Sequence, residues 1–354
     1  MRKILSILLI IVCIITTFCG CKQNGKTKYK DYSFDYFDTA TTIVGYAETE
    51  EEFDKNCDEI KKQLEEYHKL YTIYNRYENI TNICTINDLF DGVHKEIVVD
   101  KKIIDLLLFS KEMYRLTDGK VNVAMGSVLS IWHDYRKEGE LDTTKAKLPP
   151  MDELKEASKH TNIDDVILNK EKSTVYLADP KLTLDVGAIA KGYAVERVAD
   201  WMEKQGISGY VLNVGGNVKG VGTQEDNSPW KAGIENPDNS DEENPYIAYL
   251  EITNEAIVTS GAYQRYYYVD GKRYHHIIDS ETLMPGEIYL SVSVVCDDSG
   301  LGDALSTALF LMDVEKGKNL IESTENAEAM WVLPSGEKIY SSNFNKYETK
   351  EQKH

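Results

Sequence analysis

Residues 181–216 read KLTLDVGAIAKGYAVERVADWMEKQGISGYVLNVGG. Apolar alternation predicts a strand over 181–186, and the spacing of the apolar residues that follow predicts a helix that ends at Gly206. A second strand is predicted over 210–216. In the rest of the chain, strands and helices mix without a strict βαβ order. We therefore predict an α+β fold with mainly antiparallel sheets and packed helices.

The same patterns extend on both sides of this stretch. From Phe53 to Tyr74, apolar and aromatic residues recur in steps of four and three, which predicts a long amphipathic helix. Residues 101–116 predict a second helix, whereas the charged segment 126–150, which closes with two prolines, is interpreted as a linker or an excursion from the fold. The remaining predictions are strands over 40–46, 248–279 and 291–295, hairpins over 166–177 and 329–340, a polar loop over 232–245, and helices over 151–160, 301–312 and 314–323.

The chain is strongly acidic. It has 354 residues, with 40 Lys and Arg against 59 Asp and Glu, and a formal charge of −19. Proteins that bind nucleic acids carry a basic patch or stripe, so this balance argues against a nucleic-acid partner. It also argues against adhesion to an anionic membrane through charge alone. Hydrophobic residues make up 42% of the chain, which excludes disorder on grounds of composition.

The N-terminus has the layout of an export signal. Arg2 and Lys3 precede an apolar run of roughly 15 residues, which is shorter than the ~20 residues of a membrane-spanning helix. The sequence Phe18-Cys19-Gly20-Cys21 resembles a bacterial lipobox, whose last cysteine receives lipid. We therefore predict an extracytoplasmic protein that is lipid-anchored to the cell membrane; an uncleaved membrane anchor is the alternative. The predicted parts are a signal peptide over 1–20, acylation at Cys21, a tether over 21–30 and a folded body over 31–354.

A small-residue turn in the opening stretch is the first candidate binding site. The turn GAIAK (187–191) begins the predicted helix, and free backbone N–H groups at a helix start bind anions. Asp185 and Lys191 flank this turn and strengthen the functional interpretation. An ordinary strand–helix turn explains the same residues.

Two further groups have residue types suited to catalysis. His275 and His276 are adjacent on a predicted strand, so at most one of them faces a given site. Asp303 and Thr307 are four residues apart on a predicted helix and therefore share a face. A carboxylate and a hydroxyl so placed suit Mg²⁺, which prefers oxygen ligands. Each group also has a structural interpretation. The histidine could be a buried core residue, and Asp303 could cap the start of its helix.

Taken together, these segments resemble the ApbE-type FAD:protein FMN transferases over residues 37–339. The resemblance implies an ApbE or T-fold-like flavin transferase architecture. It also implies a Mg²⁺-dependent enzyme that moves FMN from FAD onto a Thr or Ser hydroxyl of an exported or membrane flavoprotein and releases AMP. The acceptor motif of this family is Asp-x-x-Ser/Thr-Gly-Ala-Thr/Ser. The motifs that carry the resemblance are TDGKVNVAMGSVLSIWH (117–133), LDVGAIAKGYAVERVA (184–199), LNVGGN (212–217), TSGAYQRYY (259–267), HHIIDSETLMP (275–285) and DALSTAL (303–309).

The resemblance also implies roles for individual residues. His276 matches the proposed base that deprotonates the acceptor hydroxyl. Asp303 and Thr307 resemble metal ligands, joined by the backbone carbonyl of Ala188, while Ser306 stands where some relatives have an acidic residue. A lipid anchor suits the family as well. The residues expected to contact FAD are Phe37, Tyr77, Lys120, Val121, Asn122, Asp185, Lys191 and Ile278.

The sequence departs from the family pattern at three positions, and it leaves other functions open. Asn122 replaces the usual Asp, Ser280 the usual Pro, and Leu283 the Gly before Met284-Pro285, which allows that loop a different turn. The main alternative function is an FAD pyrophosphatase that releases free FMN and AMP to water. A surface lipoprotein that binds flavin without catalysis is a further alternative.

Overall fold

The fold comes from a computed structural model, which describes residues 25–89, 96–238, 241 and 243–349. The predicted signal peptide and Cys21 lie outside the described residues. The strands are β1 (Thr27–Tyr36), β2 (Thr39–Ala47), β3 (Ile97–Val98), β4 (Val166–Asn169), β5 (Thr174–Leu177), β6 (Tyr210–Val214), β7 (Asn217–Val221), β8 (Trp230–Glu235), β9 (Tyr246–Ile252), β10 (Ala256–Gly261), β11 (Tyr266–Val269), β12 (Lys272–His275), β13 (Ser291–Cys296), β14 (Glu328–Val332) and β15 (Lys338–Tyr340).

The helices are distributed along the chain between these strands. They are α1 (Glu50–Tyr71), α2 (Ile83–Leu89), α3 (Lys101–Leu116), α4 (Gly126–Leu141), α5 (Met151–Ala157), α6 (Ala190–Lys204), α7 (Ser299–Phe310) and α8 (Val314–Glu322). None of these helices combines the length and apolarity needed to cross a bilayer.

The centre of the fold is an eight-stranded sheet in the order β1-β2-β6-β7-β10-β13-β14-β15. Every neighbouring pair in it is antiparallel. Smaller sheets are formed by β3-β5-β4, β8-β9 and β11-β12. The prediction of an α+β fold with mainly antiparallel sheets is therefore confirmed.

Helices α6 and α7 bring the functional segments together. They pack against each other, and α7 also packs on β10 and β13. A Cβ atom on Gly192 of α6 would lie 2.2 Å from the carbonyl oxygen of Ser299 in α7. Only a glycine therefore permits this approach, which places the start of α6 beside Asp303.

Several predicted elements need correction. Residues 181–186 form no strand: Lys181 lies in a turn and the next five residues have no regular secondary structure, although Leu182, Leu184 and Val186 are buried as the alternation implies. The side-chain amide of Asn87 pairs with both the N–H and the carbonyl of Leu184 at 2.8 Å, in place of a neighbouring strand. Part of the predicted loop 232–245 belongs to β8, and the predicted tether is shorter than expected because β1 begins at Thr27.

The predicted linker over 126–150 is also wrong in its first part, which forms α4. This helix buries Val128 and Trp132, which are four residues apart and therefore share one face. Most of its charged residues, Asp134, Lys137, Glu138 and Glu140, are exposed, which is why the segment resembles a linker in sequence. Helices α1 and α3 and the hairpins over 166–177 and 329–340 form where they were predicted, within a few residues.

Candidate active site

A cavity of about 480 Å³ opens where the β1–β2 turn, the end of α1, the segment before α4, the start of α6, β10 and α7 meet. Within the part of the chain that the structure describes, all predicted site residues except Tyr77 line it. These residues are Phe37, Lys120, Val121, Asn122, Asp185, Ala188, Lys191, His276, Ile278, Asp303 and Thr307.

The two adjacent histidines have different environments. His275 ends β12 and is only 6% exposed. Its Nε2 lies 2.6 Å from the carbonyl oxygen of Gly286, and its Nδ1 accepts the N–H of Ile277 at 3.2 Å. Its ring meets Phe310 edge-on, with the ring centroids 5.3 Å apart. His275 is therefore a core residue, and His276 is the histidine that lines the cavity.

The surroundings of His276 fix the protonation state of its ring. Its Nδ1 lies 3.3 Å from the carbonyl oxygen of Arg265, which can only accept a hydrogen bond. Nδ1 therefore carries the ring proton, and Nε2 has an unshared electron pair. Desolvation within the cavity, followed by the charges of Arg265 and Arg136, holds the pKa of His276 well below 6.5. The imidazole is consequently neutral at physiological pH.

The cavity lining also has a carboxylate and a hydroxyl from α7, those of Asp303 and Thr307. Oδ2 of Asp303 accepts the N–H of Gly192 at 2.8 Å and lies 3.7 Å from Nζ of Lys191. Burial raises the pKa of Asp303, and the charge of Lys191 opposes that rise. The Thr307 hydroxyl, one turn further along, lies 3.3 Å from the hydroxyl of Ser260.

These oxygens fit the predicted metal. Asp303, Thr307 and Ala188 line one cavity and offer a carboxylate, a hydroxyl and a backbone carbonyl, which are the oxygen donors that Mg²⁺ prefers. In the described residues, no group of three or more His, Cys, Asp and Glu side chains is placed to hold a metal. A site with one carboxylate leaves coordination positions for water and phosphate oxygens. Ser306 is buried and bonds Ser260 at 2.9 Å, outside the cavity lining.

The predicted anion site at the start of α6 is partly occupied by the protein itself. The N–H of Gly192 binds Asp303, and the N–H of Gly187 binds Oδ1 of Asp185 at 2.9 Å. The helix start therefore positions two carboxylates at the cavity wall. Lys191, from the same turn, supplies positive charge to this part of the cavity.

Side-chain contacts with residues far along the chain hold the predicted FAD-contacting stretch at 120–122. Lys120 pairs with Asp279 at 2.8 Å and Glu281 at 3.0 Å. The amide of Asn122 accepts from the N–H of Ala124 and donates to the carbonyl of Thr161, both at 2.9 Å. An Asp, the usual family residue here, cannot make the second of these bonds because its carboxylate has no donor.

The loop after His276 contains the other two departures from the family pattern, Ser280 and Leu283. Its backbone keeps a conformation that is typical of glycine. Leu283 has φ +58°, in the left-handed region where the family has glycine. Its side chain is buried, and Nε1 of Trp132 donates to its carbonyl at 3.0 Å. The Ser280 hydroxyl donates to the carbonyl of Gly119 at 3.4 Å. The loop after His276 is therefore tied to the segment that leads into the predicted FAD-contacting stretch.

Tyr77 was expected to pack on the flavin, but it does not line the cavity. Its hydroxyl lies 3.2 Å from Nε2 of His68, which does line it. Tyr74, three residues earlier, does line the cavity, and its ring centroid is 6.0 Å from that of His133. His133 in turn is 3.7 Å from Asp185. Tyr74 and Tyr77 are both tyrosines after α1, so the sequence alone did not separate their roles.

Sequence reasoning also missed two cations of the lining. Arg136 lies in the segment that was interpreted as a linker, and Arg265 precedes β11. The lining as a whole contains Lys120, Arg136, Lys191 and Arg265 together with Asp38, Asp185 and Asp303. In a chain of charge −19, this cavity is a local region without net negative charge, which suits an anionic ligand.

Comparisons with known proteins agree with the fold and the motifs. Residues 37–331 match the ApbE family. A protein named FAD:protein FMN transferase from Klebsiella pneumoniae is 29% identical over 280 residues, which cover 77% of this chain and 84% of that protein. One of the same name from Haemophilus influenzae is 27% identical over 337 residues, 92% of each chain.

A solved structure agrees as well. The crystal structure of the ApbE protein from Thermotoga maritima superposes with a TM-score of 0.79 at 26% identity, covering 92% of this chain and 100% of that one. The architecture implied by the sequence resemblance is thus confirmed. Since the family match extends over most of the sequence and includes every residue that lines the cavity, the chain belongs to the ApbE family.

Proposed function

We propose that the protein is a Mg²⁺-dependent FAD:protein FMN transferase, which moves FMN from FAD onto a Thr or Ser hydroxyl of an acceptor flavoprotein and releases AMP. The names of the similar proteins from K. pneumoniae and H. influenzae support the type of enzyme. One observation carries the proposal: a neutral imidazole with an unprotonated Nε2, His276, shares a cavity with the Asp303–Thr307 pair.

The reaction needs a base because a Ser or Thr hydroxyl is a weak nucleophile. Nε2 of His276 accepts the hydroxyl proton as the acceptor oxygen bonds to the phosphorus of the FMN phosphate. The bond from that phosphorus to the oxygen of AMP breaks, and AMP leaves with the electron pair. The carbonyl of Arg265 continues to accept Nδ1–H, so it orients the ring and favours the imidazolium that forms.

The phosphate end of FAD requires positive charge. A Mg²⁺ ion held by Asp303, Thr307 and the carbonyl of Ala188 would neutralise the phosphate oxygens and stabilise the charge on the departing AMP. Nζ of Lys191 lies 3.7 Å from Oδ2 of Asp303 and would add a positive charge near the phosphate oxygens of the bound FAD. Asp303 keeps its orientation through the N–H of Gly192.

We propose that the acceptors are exported or membrane flavoproteins with the motif Asp-x-x-Ser/Thr-Gly-Ala-Thr/Ser. The export signal and the lipobox-like Cys21 support an enzyme that is lipid-anchored outside the cytoplasm. Acylation is tested by the mass of the mature N-terminal peptide after expression in a bacterium. A Cys21→Ser variant that still carries lipid at its N-terminus would contradict this part of the proposal.

The reaction type is tested by the dependence of AMP release on the acceptor. The purified protein is incubated with FAD and Mg²⁺, with and without a peptide that contains the motif, and nucleotides are separated by chromatography. A transferase releases AMP in proportion to the peptide that it modifies. Equal AMP and free FMN without the peptide would instead identify an FAD pyrophosphatase, and no AMP under either condition would favour a flavin-binding protein without catalysis.

A further inference from the structure

The turn between β1 and β2 has an unusual backbone for its residues. Phe37 and Asp38 have φ angles of +54° and +52°, and the register pair Tyr36–Thr39 flanks them. Turns with two left-handed residues favour Asn-Gly or Gly-Gly, because a side chain is disfavoured in that region. A bulky aromatic residue there is strained, and strain of this kind persists only where surrounding contacts impose it.

The contacts that impose this turn come from two sides of the cavity. The N–H of Phe37 donates to Nδ1 of His68 at 3.0 Å, and the Phe37 ring stands edge-on to the His68 ring with centroids 5.6 Å apart. From the other side, Nη2 of Arg265 donates to the carbonyl of Asp38 at 3.4 Å. Phe37, Asp38, His68 and Arg265 all line the cavity, so the turn forms part of its wall.

The hydrogen bonds of His68 define its protonation state. Nδ1 accepts a bond, so it has no proton, and Nε2 of the neutral ring carries the proton and donates to the Tyr77 hydroxyl at 3.2 Å. Tyr77 is thereby connected to Phe37 through one imidazole. Tyr77 itself does not line the cavity.

We propose that His68 is a positioning residue for the flavin: its neutral imidazole holds Phe37 in the left-handed turn, where the Phe37 ring packs against the flavin ring system. The inference rests on the proposed function, because it takes the flavin to be the ligand of this part of the cavity. A proton on Nδ1 would face the N–H of Phe37 donor to donor, so protonation of His68 releases the turn.

The surroundings of His68 keep it neutral. Desolvation lowers the pKa of His68 from 6.5, and the charge of Lys69 lowers it further. Asp38 from the turn and Glu65 from α1 raise it, and the Tyr77 hydroxyl faces Nε2. Because the net shift is downward, the turn is held at neutral pH and released only in acid.

The test measures flavin binding apart from transfer. Riboflavin, which has the ring system but no phosphate, is titrated against the protein and its fluorescence is followed. His68→Leu removes the acceptor for Phe37 N–H and is expected to weaken riboflavin and FAD binding about five- to tenfold, the effect of one neutral hydrogen bond. AMP, which lacks the flavin ring, should bind to His68→Leu and to the wild-type protein equally well.

A matched variant guards against a general folding defect. The Oδ1 atom of Asn can stand in for Nδ1 of His, so His68→Asn should recover most of the affinity lost in His68→Leu. Asn does not titrate, so the loss of riboflavin affinity below pH 6.5 should be smaller in His68→Asn than in the wild-type protein. The cavity histidines His133 and His276 titrate in both proteins, and the comparison therefore uses the difference between the two pH profiles.

Three outcomes are decisive. Weak binding in His68→Leu with recovery in His68→Asn supports the role of His68. Equal riboflavin affinity in the wild-type protein and in His68→Leu, or identical pH profiles for the wild-type protein and His68→Asn, overturns that role and leaves the proposed function intact. If neither riboflavin nor FAD binds the wild-type protein, the proposed function itself fails.

Discussion

Nδ1 of His276 lies 3.3 Å from the carbonyl oxygen of Arg265, at the base of the β11–β12 hairpin. The contact fixes one tautomer and leaves Nε2 unprotonated. The backbone N–H of His276 donates to the same carbonyl at 3.1 Å, so the ring and the backbone are positioned together. This arrangement makes His276, and not its neighbour His275, the base of the proposed reaction.

Replacing His276 should remove most of the transfer activity but leave FAD binding intact. His276→Ala is expected to lower the transfer rate about 10²- to 10⁴-fold, because general-base catalysis typically contributes that much. FAD affinity should change little, since the other cavity residues remain. Rates are measured by AMP release with saturating acceptor peptide, and affinity by flavin fluorescence. Transfer at the wild-type rate would show that another group accepts the proton.

The metal assignment predicts a difference between two residues of α7. Asp303→Asn keeps the shape of the side chain and an oxygen for the N–H of Gly192 but removes the charge. We expect it to lose Mg²⁺-stimulated turnover by about 100-fold or more, because such an ion supplies several kcal/mol of charge stabilisation. Ser306→Ala should stay within a few-fold of wild type, since the Ser306 hydroxyl bonds Ser260 and does not line the cavity.

Removal of the metal provides the control for these variants. EDTA should reduce the wild-type enzyme to the activity of Asp303→Asn, and it should have little further effect on that variant. A Ser306→Ala variant that is as impaired as Asp303→Asn would place a metal ligand at Ser306 and contradict the assignment.

The close packing of α6 on α7 makes Gly192 sensitive to any side chain. In Gly192→Ala the new Cβ would lie 2.2 Å from the Ser299 carbonyl oxygen and 2.5 Å from Cβ of Asp303. Overpacking of this kind costs about 1–3 kcal/mol, and it displaces Asp303 from the cavity wall. Glu203→Ala, at an exposed position of α6, is the matched control. Stability is measured by denaturant unfolding. Equal free energies of unfolding for the two variants would show that α6 and α7 accommodate the extra methyl group at no cost in stability.

The buried histidines predict how stability changes with pH. Burial lowers the pKa of His68, His133, His275 and His276 below 6.5 in the folded protein. Below pH 6.5 the unfolded chain therefore binds protons that the folded protein does not. The free energy of unfolding should fall as the pH decreases from about 6.5 towards 5, by up to about 1.4 kcal/mol per pH unit for each histidine.

Urea unfolding at high salt, which screens the repulsion among the excess acidic groups, measures this dependence. Between pH 8 and 7 these four histidines should have almost no effect. Stability that stays level or rises as the pH falls from 6.5 to 5 would mean that the histidines are accessible to protons in the folded protein.

Local patterns in the sequence were sufficient for much of the fold and for part of the site. Asp303 and Thr307 could be paired from their spacing, because a helix places residues four apart on one face. The alternation of apolar residues agrees with the burial of Leu182, Leu184 and Val186 but not with that of Asp185. It could not show that one partner of this segment is the side chain of Asn87, about a hundred residues away, since that contact exists only in the folded protein.

Other parts of the site depend on tertiary contacts that leave no local pattern. Arg136 belongs to a helix whose charged residues suggested a linker, so its place in the cavity could not be inferred. The loop after α1 places Tyr74 in the cavity lining and Tyr77 against His68. Leu283 adopts a backbone that its residue type disfavours, because burial of its side chain and the bond from Trp132 compensate.

The most direct test of the central claim is the mass of an acceptor peptide. The purified protein, FAD and Mg²⁺ are incubated with a peptide that contains Asp-x-x-Thr-Gly-Ala-Thr. A control peptide has Ala in place of both Thr residues of the motif. The account predicts that only the first peptide gains the mass of an FMN phosphoester, and that His276→Ala slows this gain about 10²- to 10⁴-fold. An unmodified peptide accompanied by free FMN and AMP, in the presence of the wild-type protein, would contradict it.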